Sequence, residues 1–170
     1  MTAEGYGDGA RVVGLQRSAG GVPKSAVDRC TVTVNGMSGD RQRNRRFHGG
    51  PTRALCLYSQ ERLDALAAEG HPVARGSLGE NVTIAGLAWT DVVPGVRLGL
   101  GEVEVEVTAW AAPCEQIAYA FRNGAFRRVG QKPNPGWSRV YVSILHEGDI
   151  MVGDAVHVHP QTQTCTALAT

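Results

Sequence analysis

Val103-Glu104-Val105-Glu106-Val107-Thr108 is the plainest strand in the chain, because valines alternate strictly with glutamates. A two-residue period places successive side chains on opposite faces of a sheet, so this segment offers one apolar face to a core and one charged face to water. Working outward, β-branched runs recur at Thr31–Val34, Ala54–Tyr58, Val140–Leu145 and Ala155–His159, with shorter candidates at Val12–Leu15 and Val82–Ile84. Glycine (22) and proline (8) are scattered through the 170 residues without a collagen-like period. That distribution favours many short elements joined by turns over a helical bundle. The expected fold is mainly β with a few short helices.

With 17 basic and 16 acidic residues the net charge is +1, and 42% of residues are hydrophobic against 19% charged. Such a chain can bury a core, and it carries no bulk charge for gripping nucleic acid. No stretch of about 18 apolar residues and no signal-peptide pattern is present, so neither a membrane span nor export is expected, and the expected location is the cytoplasm. One domain is expected over 11–160, with loose tails at 1–10 and 161–170, where no apolar period is long enough to dock. Cys30, Cys56, Cys114 and Cys165 are too far apart for a zinc knuckle and too few for a small disulfide scaffold, so they read as reduced thiols.

Two helices are expected among the strands. The first starts from Ser59 as N-cap and runs Gln60–Glu69, with Leu63, Leu66 and Ala67 on its buried face and Gly70 as its stop. The second begins near Pro113 and continues Cys114–Phe121, with Cys114, Ile117, Ala118 and Phe121 sharing a face. In that reading Cys114 sits in a first helical turn, where unpaired N–H groups favour a thiolate. The same position lies on an apolar stripe, so catalytic use and core packing both remain open.

Several chemistries are excluded by what the motifs lack. Gly20-Gly21-Val22-Pro23-Lys24-Ser25 imitates the end of a phosphate loop, but proline replaces the glycine whose N–H the phosphate needs. No G-x-G-x-x-G follows a strand, and no serine–histidine–aspartate spacing stands out. His157 and His159 share one side of an expected strand without a third ligand nearby, and they read as exposed edge histidines rather than a zinc site. The thirteen residues after Asp40 hold five arginines, Arg53 the last of them, and include a Gly49-Gly50-Pro51 turn that enters a strand. This basic segment suits either solvent or a phosphate-bearing ligand approached closely by backbone beside His48 and Arg53.

Taken together, Gly36-Met37-Ser38-Gly39-Asp40, His48-Gly49-Gly50-Pro51-Thr52-Arg53-Ala54, Leu57-Tyr58-Ser59, Gly79-Glu80-Asn81-Val82-Thr83 and Pro113-Cys114 resemble the MOSC domain, the C-terminal domain of molybdenum cofactor sulfurases. Gly20 to Lys24, Pro135 to Tyr141 and Gly153-Asp154 extend the resemblance over about 11–160. It resembles the stand-alone bacterial kind. The resemblance implies a β-barrel-like domain that binds the molybdenum cofactor, molybdopterin, and acts as an oxidoreductase on N-hydroxylated small molecules. It implies Cys114 as the catalytic residue and molybdenum ligand, and Lys24, His48, Arg53, Asn81 and Arg139 as cofactor contacts. A soft metal wants a thiolate and a terminal phosphate wants basic side chains, which these residues would supply.

Electrons would come from a separate reductase, since no flavin, NAD or iron–sulfur motif is present. The protein is expected as a monomer or homodimer. Alternatives within the same resemblance are a sulfur-transfer enzyme with a persulfide on Cys114, a molybdenum-independent enzyme, and a non-catalytic cofactor carrier. The chain departs from the family pattern at Phe47-His48, where relatives have two histidines, and at Ala111-Ala112, where they have an arginine shortly before the Pro-Cys pair. Beside Trp110, those alanines make the neighbourhood of the cysteine more apolar.

Overall fold

Alternation is realised at the centre of the molecule: Val103, Val105 and Val107 are buried, whereas Glu104 is exposed and Glu106 half-buried. The computed structural model describes residues 9–41 and 50–161. The strands are β1 Arg11–Arg17, β2 Ser25–Val27, β3 Arg29–Thr33, β4 Gly36–Met37, β5 Leu55–Ser59, β6 Val82–Ala85, β7 Arg97–Leu100, β8 Val103–Ala111, β9 Arg139–His146, β10 Gly148–Met151 and β11 Val156–His159. Eight of them form one sheet in the order β11-β7-β8-β9-β5-β6-β1-β2, and β10-β3-β4 form a second. Every expected strand is present, with ends that differ from the expectation by up to three residues. The short strands β2, β4, β7 and β10 carry too little β-branched pattern to have been read from the sequence.

The barrel expectation is corrected. Among the described residues the sheets do not close: a single bridge between Arg11 and Ala155 joins β1 to the residue before β11, and no strand ladder completes the circuit. Pairing is antiparallel except between β5 and β6. A parallel pair needs a crossover, and the helix α1 Gln60–Ala68 supplies it. Ser59 caps α1 through Oγ, which accepts from the Arg62 amide at 3.2 Å, and Gly70 takes φ +94° where the chain leaves. Leu63 and Leu66 are buried as expected, but Ala67 is exposed, so the buried stripe is narrower than its sequence suggested.

The second expected helix is also corrected. Residues Glu115–Ala120 form a 3-10 helix, and Cys114 precedes it in extended conformation (φ −133°, ψ 168°). Its threefold repeat buries Ile117 and Ala120 and then Phe121, leaving Cys114 and Ala118 half-buried, so the four-residue stripe does not form. Cys114 is therefore not inside a helical first turn, and the argument for a thiolate from helical N–H groups falls. Further 3-10 turns occur at Pro51–Arg53, Trp89–Asp91, Arg122–Gly124 and Phe126–Val129. Of the expected tails, 1–8 and 162–170 lie outside the described residues, while Ala10 is buried and its carbonyl accepts from Val156 N at 2.9 Å.

Candidate functional site

Strand parity explains where a site can form. On β9, Val140 and Val142 face the core, so Arg139 and Tyr141 share the opposite face. Register places Cys56 of β5 opposite Tyr141, and Ala111 of β8 opposite Arg139. Cys56, Ala111 and Tyr141 pack together as a small cluster apart from the main core. β8 then ends, and Ala112-Pro113 carry Cys114 to the edge of this face. The result is a cleft of about 620 Å³ including its open mouth, with Lys24, Arg41, Cys56, Asn81, Cys114, Arg139 and Tyr141 in its walls.

Four residues expected at a site thus meet here: Lys24, Asn81, Cys114 and Arg139. Two of them are also engaged within the protein. Lys24 is held by Asp40, with Nζ donating to both carboxylate oxygens at 2.7 and 2.8 Å in a pair whose side chains are only 7% and 6% exposed. Asn81 is committed within the protein: its Oδ1 accepts from Cys56 N at 3.0 Å, and its Nδ2 donates to Asp40 and to the Gln16 carbonyl. An amide with both ends engaged ties β5, β6 and β1 together. Arg53 does not line the cleft; its guanidinium lies 5.2 Å from the centroid of the Tyr141 ring. His48 and the arginines at 43, 45 and 46 lie outside the described residues.

Arg139 is the basic group best placed for a ligand. It is buried, Nη1 donates to the Leu78 carbonyl at 2.5 Å, and Nη2 reaches the Ala112 carbonyl at 3.5 Å. Its Nε is buried without a hydrogen-bond partner among the described residues. An unpaired charged donor of this kind is costly unless something accepts from it. Arg41, exposed at the rim, adds a further cation to the cleft.

Cys56, Tyr141 and Glu80 also belong to this neighbourhood, though sequence reasoning names none of them as a site residue. Burial pushes the Cys56 thiol up to about 11 and the Tyr141 hydroxyl up to about 12, so both keep their protons at neutral pH. Glu80 is fully buried behind the Leu78–Asn81 wall and is pushed up to about 7 by that burial, against backbone hydrogen bonds and Arg139, which pull it down. One of its oxygens accepts from Gly76 N and the other has no partner among the described residues. Gly76 takes φ +85° where a Cβ would collide with the Lys24 carbonyl, so glycine lets this turn close onto the strand below it. The run Gly79-Glu80-Asn81 was the available signal for Glu80. Cys56 and Tyr141 could be found only from cross-strand register.

Comparison with known proteins places this architecture. The MOSC domain profile matches residues 44–157. The chain belongs to the MOSC family. This MOSC domain is 32% identical over 118 residues to YflK of Bacillus subtilis, covering 69% of the chain and 52% of that protein. It is 34% identical over 94 residues to YiiM of Escherichia coli, covering 53% of the chain and 42% of that protein. The chain therefore spans about half the length of the curated relatives it matches. Its fold is similar to the crystal structure of YiiM from Geobacillus stearothermophilus, with TM-score 0.71 and 22% identity over 92% of this chain and 78% of that one. YiiM from Escherichia coli gives 0.66 and 24% over 89% and 70%. MOSC domains in general are associated with binding the molybdenum cofactor. Among the described residues no three histidine, cysteine, aspartate or glutamate side chains cluster as a metal site. No helix of the described residues is long and apolar enough to cross a membrane.

Proposed function

We propose that this MOSC domain binds a molybdenum cofactor in the cleft, with Cys114 as the thiolate ligand, and reduces N-hydroxylated small molecules with electrons from a separate reductase. The observation that carries the reading is the pairing in one cleft of a half-buried thiol, Cys114, with a buried guanidinium, Arg139. That donor set suits the group: a soft sulfur for a soft metal and a fixed cation for an anionic phosphate or pterin oxygen. When bound, the cofactor would supply a two-electron redox centre.

The residues of the chain do the rest. Arg139, pinned by the Leu78 and Ala112 carbonyls, fixes a guanidinium charge in the cleft wall. Arg41 adds charge at the rim, while Lys24 and Asn81 act through Asp40 to hold the strands and the wall in place. Tyr141 and Cys56 line the floor as proton-bearing, uncharged groups, which keeps negative charge away from an anionic ligand. In the overall reaction the N–O bond of a hydroxylamine breaks, nitrogen takes two electrons and a proton, and oxygen leaves with a second proton as water.

The test is molybdenum content of protein purified under reducing conditions from a host that makes the cofactor. Near-stoichiometric molybdenum in the wild type that is lost in Cys114→Ser, together with reduction of an N-hydroxylated base by chemically supplied electrons, is the expected result. Absence of molybdenum from both proteins overturns the reading. An extra sulfur on Cys114 by intact mass would then favour sulfur transfer.

A further inference from the structure

Cys114 borders two clefts. Besides the one that holds Lys24 and Arg139, a second groove of about 1020 Å³ including its open mouth adjoins it, and Ala112 and Cys114 line both. Ala111 packs with Cys56 and Tyr141, so its neighbour Trp110 turns to the opposite side of β8, where it lines this second groove with 40% of its surface exposed. Phe126 adds a further aromatic wall. Charge is segregated here. No aspartate or glutamate occurs between Glu115 and Glu147, a stretch that carries Arg122, Arg127, Arg128, Lys132 and Arg139. Two of these cations are engaged: Arg128 donates to Glu69 at 2.7 and 3.0 Å, and Arg139 is buried in the other cleft. Arg127 and Lys132 line the groove, exposed and in no ion pair among the described residues, and Glu115 is the one carboxylate in its walls.

We infer that this groove docks the electron donor, and that the donor is a small acidic carrier protein whose protruding edge enters the groove while its carboxylates meet Arg127 and Lys132. The inference rests on the function proposed above, which needs electrons from outside the chain. An aromatic centre with a charged rim is the anatomy of a protein interface. Exposed cations steer an acidic partner in without holding it long, as a carrier that must leave again requires. Other anionic occupants fit less well: a nucleic acid needs a run of cations along its backbone, and the whole protein carries only +1. A flat lipid surface does not enter a groove. A carrier docked here lies beside Cys114. Each reduced carrier gives one electron, so two dockings supply the two electrons, and solvent the two protons, that are consumed when the N–O bond breaks to amine and water; both carriers leave oxidised.

Calorimetric titration of the full chain with an acidic flavodoxin, an acidic two-iron ferredoxin and, as a polyanion control, a short oligothymidylate tests the assignment. At least one carrier should bind, and raising salt from about 0.05 M to about 0.5 M should weaken it by about tenfold. Arg127→Gln with Lys132→Gln should weaken it by about tenfold, whereas Arg11→Gln with Arg97→Gln, an equal charge change at exposed positions on β1 and β7, should move it by less than about twofold. Trp110→Ala should cost about tenfold, and Trp110→Phe should restore most of the affinity. Molybdenum content and reduction by chemically supplied electrons should stay unchanged in the Arg127 and Lys132 variant, and Cys114→Ser should keep carrier binding, so failure of the cofactor reading and failure of the docking surface are told apart. No binding of either carrier, equal weakening by the two charge pairs, affinity unmoved in Trp110→Ala, or oligothymidylate bound as tightly as the carrier overturns the inference.

Discussion

Glu80 shows how burial sets chemistry at a single residue. Its carboxyl lies at about 7 against an ordinary 4.5 because burial penalises the charged form. As pH rises, the unfolded chain sheds this proton first, so Glu80 subtracts stability progressively between pH 4.5 and 7 and by a constant amount above. The penalty is roughly 3 kcal/mol. Denaturant unfolding across that range should therefore show a falling limb in the wild type that is flattened in Glu80→Gln. Parallel limbs in the two proteins would show that Glu80 does not carry it. Lys24 illustrates the converse, since a lysine that sequence reading offers to a phosphate is spent on Asp40, and only distance and burial reveal that.

At the scale of elements, the alternation of β8 and the capped α1 were both legible because their signals are local. Ser59 has the residue type, and Gly70 the conformational freedom, that helix ends require whatever surrounds them. Ser59→Ala should cost about 1 kcal/mol in unfolding free energy without moving molybdenum content or ligand affinity; a change below about 0.3 kcal/mol would show that the Arg62 amide finds another partner. The element after Pro113 departs from its sequence expectation for an equally physical reason. Its apolar spacing fits an α-helix and a 3-10 helix over one turn, and packing of Ile117, Ala120 and Phe121 against the core selects the tighter winding.

For the whole molecule, β8, β9 and β5 lie inside the larger sheet, whereas β11 and β2 form its ends. Amide exchange should follow that order, with Val105, Val107, Val140 and Val142 slowest and Ser25–Val27 fastest by orders of magnitude. Uniform exchange across the two groups would contradict the sheet order. The parallel β5–β6 contact joins distant stretches through α1, and such pairings leave no mark in local sequence.

By itself the sequence determined the strand-rich class, α1 with its cap, and, through ordered motifs, the family and the cysteine to watch. These rest on side-chain periodicity, backbone preferences and residue type, all properties of short segments. Tertiary structure decided that the sheets stay open, that Cys114 precedes a 3-10 helix, and that Lys24 and Asn81 serve Asp40 and the strands. It also brought Cys56, Arg139 and Tyr141 onto one face and set Trp110 on the other flank of the thiol. Those outcomes depend on cross-strand register and burial, which join residues far apart in the chain and so cannot be written in any one stretch of it.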